Sequence, residues 1–371
     1  MNGRPTFASV SVDAIARNYR LLRDRVGAQR GLFCVVKGDA YGHGAARVAR
    51  RLALEGASRF AVAVAEEGIA LRRAGVGGEI LLLNYSDPAD AGVLRAYGLV
   101  PSLYDLRQAR LFVEATRTFA EPLSVHLKLD TGMGRIGFPP RELGAVTDLL
   151  RRAPGLRVTG TFSNLACAED PHSPRTARQV EVLEAGVATL SAAGVGPGIV
   201  HLANSAGILF HRGTWFDAVR PGLALYGVGP SSDAGKEDAL TPALTLETRV
   251  MAVNEAAPGT PLGYGGRFVT QRPSTIAVLP IGYHDGFRRS FSGRARVLLR
   301  GKEVPVVGAV SMDLTLVDAT DTGAQNRDRV VCLGIEGGNR VTAWDLARAA
   351  ETIPYEILCG IGSRVPRVYP P

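Results

Sequence analysis

Lysine is nearly missing from this chain. Of 43 basic residues only Lys37, Lys128, Lys236 and Lys302 are lysines, and the other 39 are arginines. Arginine serves wherever plain positive charge is needed, so a lysine kept inside an apolar stretch stands out. Lysine can lose its proton and act as a nucleophile; arginine cannot. Cysteine is also sparse. The four thiols, at 34, 167, 332 and 359, form no C-x-x-C pair, and three lie in apolar stretches, where small buried side chains explain them better than a disulfide framework does. The six histidines show no i, i+4 pairing, which argues against a dedicated metal site. No apolar run reaches the roughly 18–20 residues of a membrane helix. The first twenty residues, MNGRPTFASVSVDAIARNYR, carry no continuous apolar core of a signal peptide and read as a short strand entering an amphipathic helix. A cytoplasmic location away from membranes is the expectation.

With 371 residues the chain exceeds one compact domain, and its 46% hydrophobic and 21% charged content is that of a soluble globular protein. A net charge of +8 raises the question of nucleic acid. The basic residues are scattered among Glu and Asp along helices instead of forming a stripe interleaved with aromatics, so solvated helix faces account for them and no nucleic-acid partner is expected. A small anionic ligand remains compatible.

Short apolar runs alternate with amphipathic segments over the first two thirds. The runs lie near 32–37, 60–64, 80–83, 98–101, 123–129, 156–162, 199–202 and 217–221, with helical patterns at 45–55, 103–119, 140–153 and 174–193 between them. Eight such strands imply an α/β fold with a parallel sheet closed as a (β/α)8 barrel, spanning 1–238 at about the usual 250 residues; an open doubly wound sheet is the alternative. The polar stretch PSSDAGKED, 230–238, marks the expected boundary. Residues 239–371 then change to strands with WDLARAAETI the one helical pattern, predicting a β-rich second domain.

Lys37 ends the first barrel strand in VVKGDAYGHG, at the end of the sheet where barrels keep reactive groups. Val35 and Val36 partly desolvate its amine and favour the neutral form; a solvated strand-end lysine is the plainer reading. Tyr41 in the following loop could hold a phosphate. In HLKLDTGMGRIGF, Gly132, Gly134 and Gly137 have dinucleotide-motif spacing, but Phe138-Pro139-Pro140 interrupts the helix that motif requires. The loop instead lets a ligand approach while Arg135 offers its fork to an oxyanion. In HLANSAG, Asn204 and Ser205 sit where a helix begins, either as caps or as phosphate ligands. VRPGLALYG places Arg220 at a strand end before Gly222 and Leu223. Phosphate sites recur after the seventh and eighth barrel strands, which is where these two motifs fall. Tyr264 (GYGG), Tyr283 (LPIGYHDG), Met312 (AVSMD) and Tyr355 (IPYEILCG) stand in the β-rich part, each explicable alone as a turn or apolar filler.

Taken in order, these motifs resemble those of alanine racemases, over roughly residues 10–366. The resemblance implies pyridoxal 5'-phosphate as cofactor, carried by Lys37. It places Tyr41, Asn204, Ser205, Gly222, Leu223 and Tyr355 around the phosphate, Arg220 at the pyridine nitrogen, and Arg135 at the phenolic oxygen and the substrate carboxylate. Lys128 matches a lysine that is carbamylated in many members. The implied reaction is interconversion of L- and D-alanine by two bases, Lys37 and a Tyr264 donated by the other subunit of a homodimer, supplying D-alanine for peptidoglycan. Met312 would meet the substrate carboxylate through its amide, and Tyr283 and Tyr355 would narrow the entrance. Two positions depart from the pattern. Asn164 stands where the family usually has a histidine packed on the ring, and Ser311 replaces a cysteine. The first loosens the expectation of alanine as substrate, so a racemase of another small amino acid such as serine, or a decarboxylase on the same barrel, stays open. A cofactor-binding barrel without turnover is the third reading.

Overall fold

The computed structural model describes residues 4–231 and 239–370. By contact these fall into two compact units, one built from residues 15–40, 45–231 and 239–241, the other from residues 4–14, 41–44 and 242–370. Sequence pattern alone places a single cut at 238/239, but most of the stretch around it, 232–238, lies outside the described residues. The initial strand β1 (Phe7–Val10) clusters with the second unit, and so does the short stretch 41–44.

The first unit is a closed parallel barrel. Its strands are β2 (Gly31–Val35), β3 (Arg59–Val62), β4 (Glu79–Leu82), β5 (Leu99–Leu103), β6 (Leu123–Lys128), β7 (Leu156–Phe162), β8 (Ile199–His201) and β9 (Ala218–Val219), paired in sequence order and closed by β2 on β9. All eight coincide with the expected runs. Such strands are short and apolar because helices cover one face and the barrel interior the other; β5 is buried at every residue. The covering helices turn one stripe inward. In Ala45–Leu54 the stripe is Val48, Ala49 and Leu52, and full burial of a leucine contributes about 2 kcal/mol.

The loop after β2 departs from ordinary backbone. Residues 38–42 all have positive φ, at 61°, 52°, 56°, 53° and 80°, forming a left-handed turn directly after Lys37. Asp39, Ala40 and Tyr41 are not glycines, and each costs about 1–2 kcal/mol there. Specific bonds oppose that cost. Gly38 N–H donates to Glu67 Oε1 (2.6 Å), Ala40 N–H to Val36 O (2.8 Å), and Ala45 N–H to Asp39 Oδ1 (2.7 Å). Backbone strain of this kind clusters at functional sites, where the surrounding bonds hold it in place.

The second unit is a ten-stranded sheet. Its strands follow one another as Ala252–Ala256, Ser274–Leu279, Thr315–Asp318, Lys302–Val307, Arg296–Leu299, Arg329–Glu336, Leu244–Arg249, β1 and Arg367–Val368, with Asn339–Val341 beside Arg329–Glu336. The expected helix is present as Ala343–Ala350, its first turn closed by a Thr342/Asp345 capping box. A second helix, Pro354–Cys359, was not read from the sequence; proline at its first position and only six residues of length hide its periodicity.

Asp285 anchors this unit. Its buried carboxylate accepts from Arg4 Nη1 and Nη2 (2.5 and 2.6 Å), Arg364 Nε (2.8 Å) and Gly282 N–H (3.0 Å). Burial pushes its pKa up, but Arg4, Arg364 and the amide outweigh it and hold the group at about 2. The folded value lies below the ordinary 3.8, so the stabilisation is complete above that value and is lost as pH falls through about 2. Urea melts of Asp285→Asn are expected to fall below the parent at neutral pH, with the gap closing between about pH 4 and about pH 2. A gap independent of pH would contradict the ion-pair account.

Candidate active site

The C-terminal ends of the barrel strands bring four basic groups of the first unit together. Lys37 follows β2 and is half-buried; Lys128 is the last residue of β6 and is buried; Arg220 follows β9 and is 4% exposed; Arg135 is exposed on the loop after β6. Lys128 registers their convergence. Burial first, then the charges of Arg135, Arg220 and Lys37, bring its pKa down to about 7, with Asp130 acting weakly the other way. Asp130 is engaged elsewhere, since its Oδ1 accepts the amides of Gly132 (3.0 Å), Met133 (3.0 Å) and Gly134 (3.1 Å). That nest shapes the glycine loop, whose φ values of 126° and 67° at Gly132 and Gly134 exclude most other residues. The loop ends in a 3-10 turn, Pro140–Glu142, before the helix Leu143–Leu150, so it does not open a dinucleotide-type helix.

Arg220 is wired into the barrel. Nη2 donates to Ser163 O (2.6 Å), Leu202 O (3.0 Å) and, at 3.4 Å, Asn164 Oδ1; Nη1 donates to His201 O (3.0 Å) and His201 Nδ1 (2.8 Å). Burial lowers its pKa to about 9, so it stays protonated at neutral pH. Asn164 makes one bond to this arginine and spends its amide on Met133 Sδ (3.2 Å) and Leu165 O (3.3 Å). The capping reading of HLANSAG has a counterpart. Asn204 Oδ1 caps the helix Ser205–Phe210 through Gly207 N–H (2.9 Å). Ser205 Oγ accepts the amides of Gly222 (3.0 Å) and Ala224 (3.2 Å), which ties this helix start to the turn Leu223–Tyr226 and leaves the hydroxyl proton to donate.

The remaining candidates lie in the second unit. Tyr41 is buried beside Tyr355, ring centroids 5.7 Å apart, and burial, with Tyr355 and Cys359 nearby, raises its phenol pKa. Tyr283 and Met312 are brought together by backbone bonds, Tyr283 N–H to Ser311 O (2.9 Å) and His284 N–H to Met312 O (3.1 Å), and both side chains are exposed. Tyr264 stands on a 3-10 turn flanked by three positive-φ glycines, 263, 265 and 266, and is 71% exposed.

Sequence reasoning missed two groups at the barrel centre. His201 holds Arg220, and His126 holds His201 through a 3.0 Å bond between ring nitrogens. The signal was available, since both histidines precede a leucine on β6 and β8, and alternate barrel strands fill the same interior layer. A search for i, i+4 metal spacing does not find residues 75 apart.

Fold and site together define a (β/α)8 barrel with a cluster of cationic side chains at the C-terminal ends of its strands. Two family models match, the alanine racemase N-terminal domain over residues 10–230 and the alanine racemase C-terminal domain over 243–369. The alanine racemase of Symbiobacterium thermophilum is 43% identical over 99% of this chain and 97% of its own, and that of Carboxydothermus hydrogenoformans 39% over 99% and 100%. Among solved structures, alanine racemase from Streptomyces lavendulae superposes with a TM-score of 0.95 at 35% identity, covering 100% of this chain and 98% of that one. The enzyme from Bacillus anthracis with bound L-Ala-P superposes at 0.94 and 33%, covering 99% and 95%. The chain belongs to the alanine racemase family.

Proposed function

We propose that the protein racemises alanine with pyridoxal 5'-phosphate, as a homodimer whose active sites are each completed by the second copy. The observation that carries this reading is the cation cluster at the barrel mouth. Lys37, Lys128, Arg135 and Arg220 converge where Asp130 is already committed to backbone amides, so the place calls for anions. A phosphate monoester, a phenolate and an amino-acid carboxylate supply them. Tyr41, Asn204, Ser205, Gly222, Leu223 and Tyr355 would hold the phosphate, Arg220 the pyridine nitrogen, and Arg135 the phenolic oxygen and the substrate carboxylate. When bound, the cofactor supplies an electron-withdrawing ring that acidifies the substrate Cα–H.

The chain's own groups then move one proton. Lys37 Nζ serves the D face of Cα and Tyr264 Oη of the second copy the L face, one removing and the other returning the proton. The exposure of Tyr264 in a single chain supports its use by another copy. Met312 N–H would hold the substrate carboxylate, and Tyr283 and Tyr355 would restrict the entrance to a side chain little larger than methyl. A protonated Arg220 at the ring nitrogen moderates electron withdrawal, which favours racemisation over transamination. D-alanine for peptidoglycan, made in the cytoplasm, is the role that follows.

Borohydride reduction of the cofactor-loaded protein is expected to fix a pyridoxyl group on Lys37, and chiral analysis of an equimolar amino-acid mixture to show D-alanine ahead of D-serine, with little D-lysine. Label on another residue, or carbon dioxide release, would overturn the assignment.

Lys128 carries a further expectation. An amine at about 7 is half neutral at physiological pH, and only the neutral form adds carbon dioxide to become a carbamate. The resulting anion would sit among Arg135, Arg220 and Lys37 and orient Arg135. With 13C-bicarbonate, a carbamate carbon signal is expected to grow as pH rises through about 7 and to vanish in Lys128→Ala. No signal at pH 8 would remove this role.

A further inference from the structure

A file of polar side chains runs down the barrel well beyond the groups assigned to the reaction. His201 Nδ1 faces Arg220 Nη1 at 2.8 Å, and His201 Nε2 faces His126 Nδ1 at 3.0 Å. His126 Nε2 lies 3.0 Å from Glu79 Oε1, at an angle poorer than a regular hydrogen bond, and Glu79 Oε2 lies 3.4 Å from Arg59 Nε. Arg220 follows the end of β9, whereas Glu79 and Arg59 are the first residues of β4 and β3. The file therefore connects the reactive mouth of the barrel with its opposite mouth.

Donor chemistry gives the file one direction. A guanidinium has no acceptor, so His201 Nδ1 must be the unprotonated nitrogen. A neutral imidazole of that kind carries its proton on Nε2 and donates it to His126 Nδ1. His126 in turn carries its proton on Nε2, directed at the Glu79 carboxylate. Burial, then Arg220, His126 and Arg59, keep His201 well below the usual histidine pKa, so it stays neutral.

The surroundings are built to keep these rings still. His201 is stacked between Phe33 (4.7 Å, 22°) and Phe162 (4.9 Å, 4°). A Cβ on Gly160 would come within 2.5 Å of the His126 ring, so the glycine makes the room for it.

We propose that His126 and Glu79 are positioning residues for Arg220: Arg220, which can only donate, and the Glu79 carboxylate, which can only accept, order the two histidines from opposite ends of the file, and the file so ordered holds the guanidinium. The step from Arg220 to catalysis rests on the proposed function, in which Arg220 meets the pyridine nitrogen.

The test is the full-length protein with pyridoxal phosphate, labelled with 15N-histidine, as parent and as Glu79→Leu. The parent is expected to show His201 as a single Nε2–H tautomer. In E79L the His126 Nε2 proton loses its acceptor, so His126 becomes a tautomer mixture, the absorbance of the bound cofactor shifts, and kcat falls roughly tenfold, the scale seen when a supporting hydrogen-bond partner is lost, with KM little changed. Should E79L fail to fold, Glu79→Ala, which removes the acceptor without placing a bulky apolar group there, is read the same way. A His126 tautomer that is identical in parent and variant overturns the proposal, as does an Nδ1–H His201 in the parent. Tautomers that move while cofactor absorbance stays fixed would leave the file intact and overturn the placement of Arg220 instead.

Discussion

Tyr264→Phe is expected to lower kcat by roughly 10²–10⁴-fold in both directions, the usual worth of a positioned acid–base group. Cofactor uptake should be unchanged, because the phenol is 71% exposed on its own chain and has no assigned part in holding the phosphate. The two enantiomers should then part company in deuterated water. Lys37 still reaches the D face, so D-alanine continues to exchange its α-hydrogen without yielding L-alanine. L-alanine, which needs the phenol, stops exchanging. Loss of exchange for both enantiomers would show that the phenol acts on binding instead, and unchanged racemisation would dismiss it as a base.

The second large effect falls on stability. Arg220→Leu removes a buried cation that satisfies the carbonyls of Ser163, Leu202 and His201 and a ring nitrogen of His201. Each buried acceptor left alone costs about 1–3 kcal/mol, so a loss of several kcal/mol is expected even without cofactor. Arg220→Lys should recover little of it. A lysine ammonium presents its donors from one point and cannot span acceptors arranged around a planar fork. Urea melts of the cofactor-free proteins measure this directly. Equal midpoints for parent and Arg220→Leu would mean that the interior repacks freely, contrary to the network described above.

Much of the barrel was legible because parallel strands buried on both faces leave plain apolar runs, and all eight appear where the runs predict. The position of Lys37 just after the first barrel strand was legible in the same way. What stayed hidden depends on partners distant in sequence or on backbone that composition does not encode. β1 pairs Phe7 with Glu247, and no local pattern announces a partner so far along the chain. GDAYG reads as an ordinary glycine loop, yet Asp39, Ala40 and Tyr41 take left-handed φ because Glu67 and Val36 hold the turn. The tie between His126 and His201 is equally silent, since each is a lone histidine in its strand. The expected helix 140–153 begins as a 3-10 turn over Pro140–Glu142, where proline shapes the first turn.

Racemisation as proposed passes a proton between groups of two different copies of the chain. Lys37→Ala and Tyr264→Phe, each inactive alone, can be co-expressed under separate affinity tags and the doubly tagged dimer isolated. With one intact Lys37 and one intact Tyr264 on different chains, that dimer regains one complete site of two and should show about half the parental rate. A doubly tagged dimer as inactive as its parents would place both groups in the same subunit's site and contradict the account.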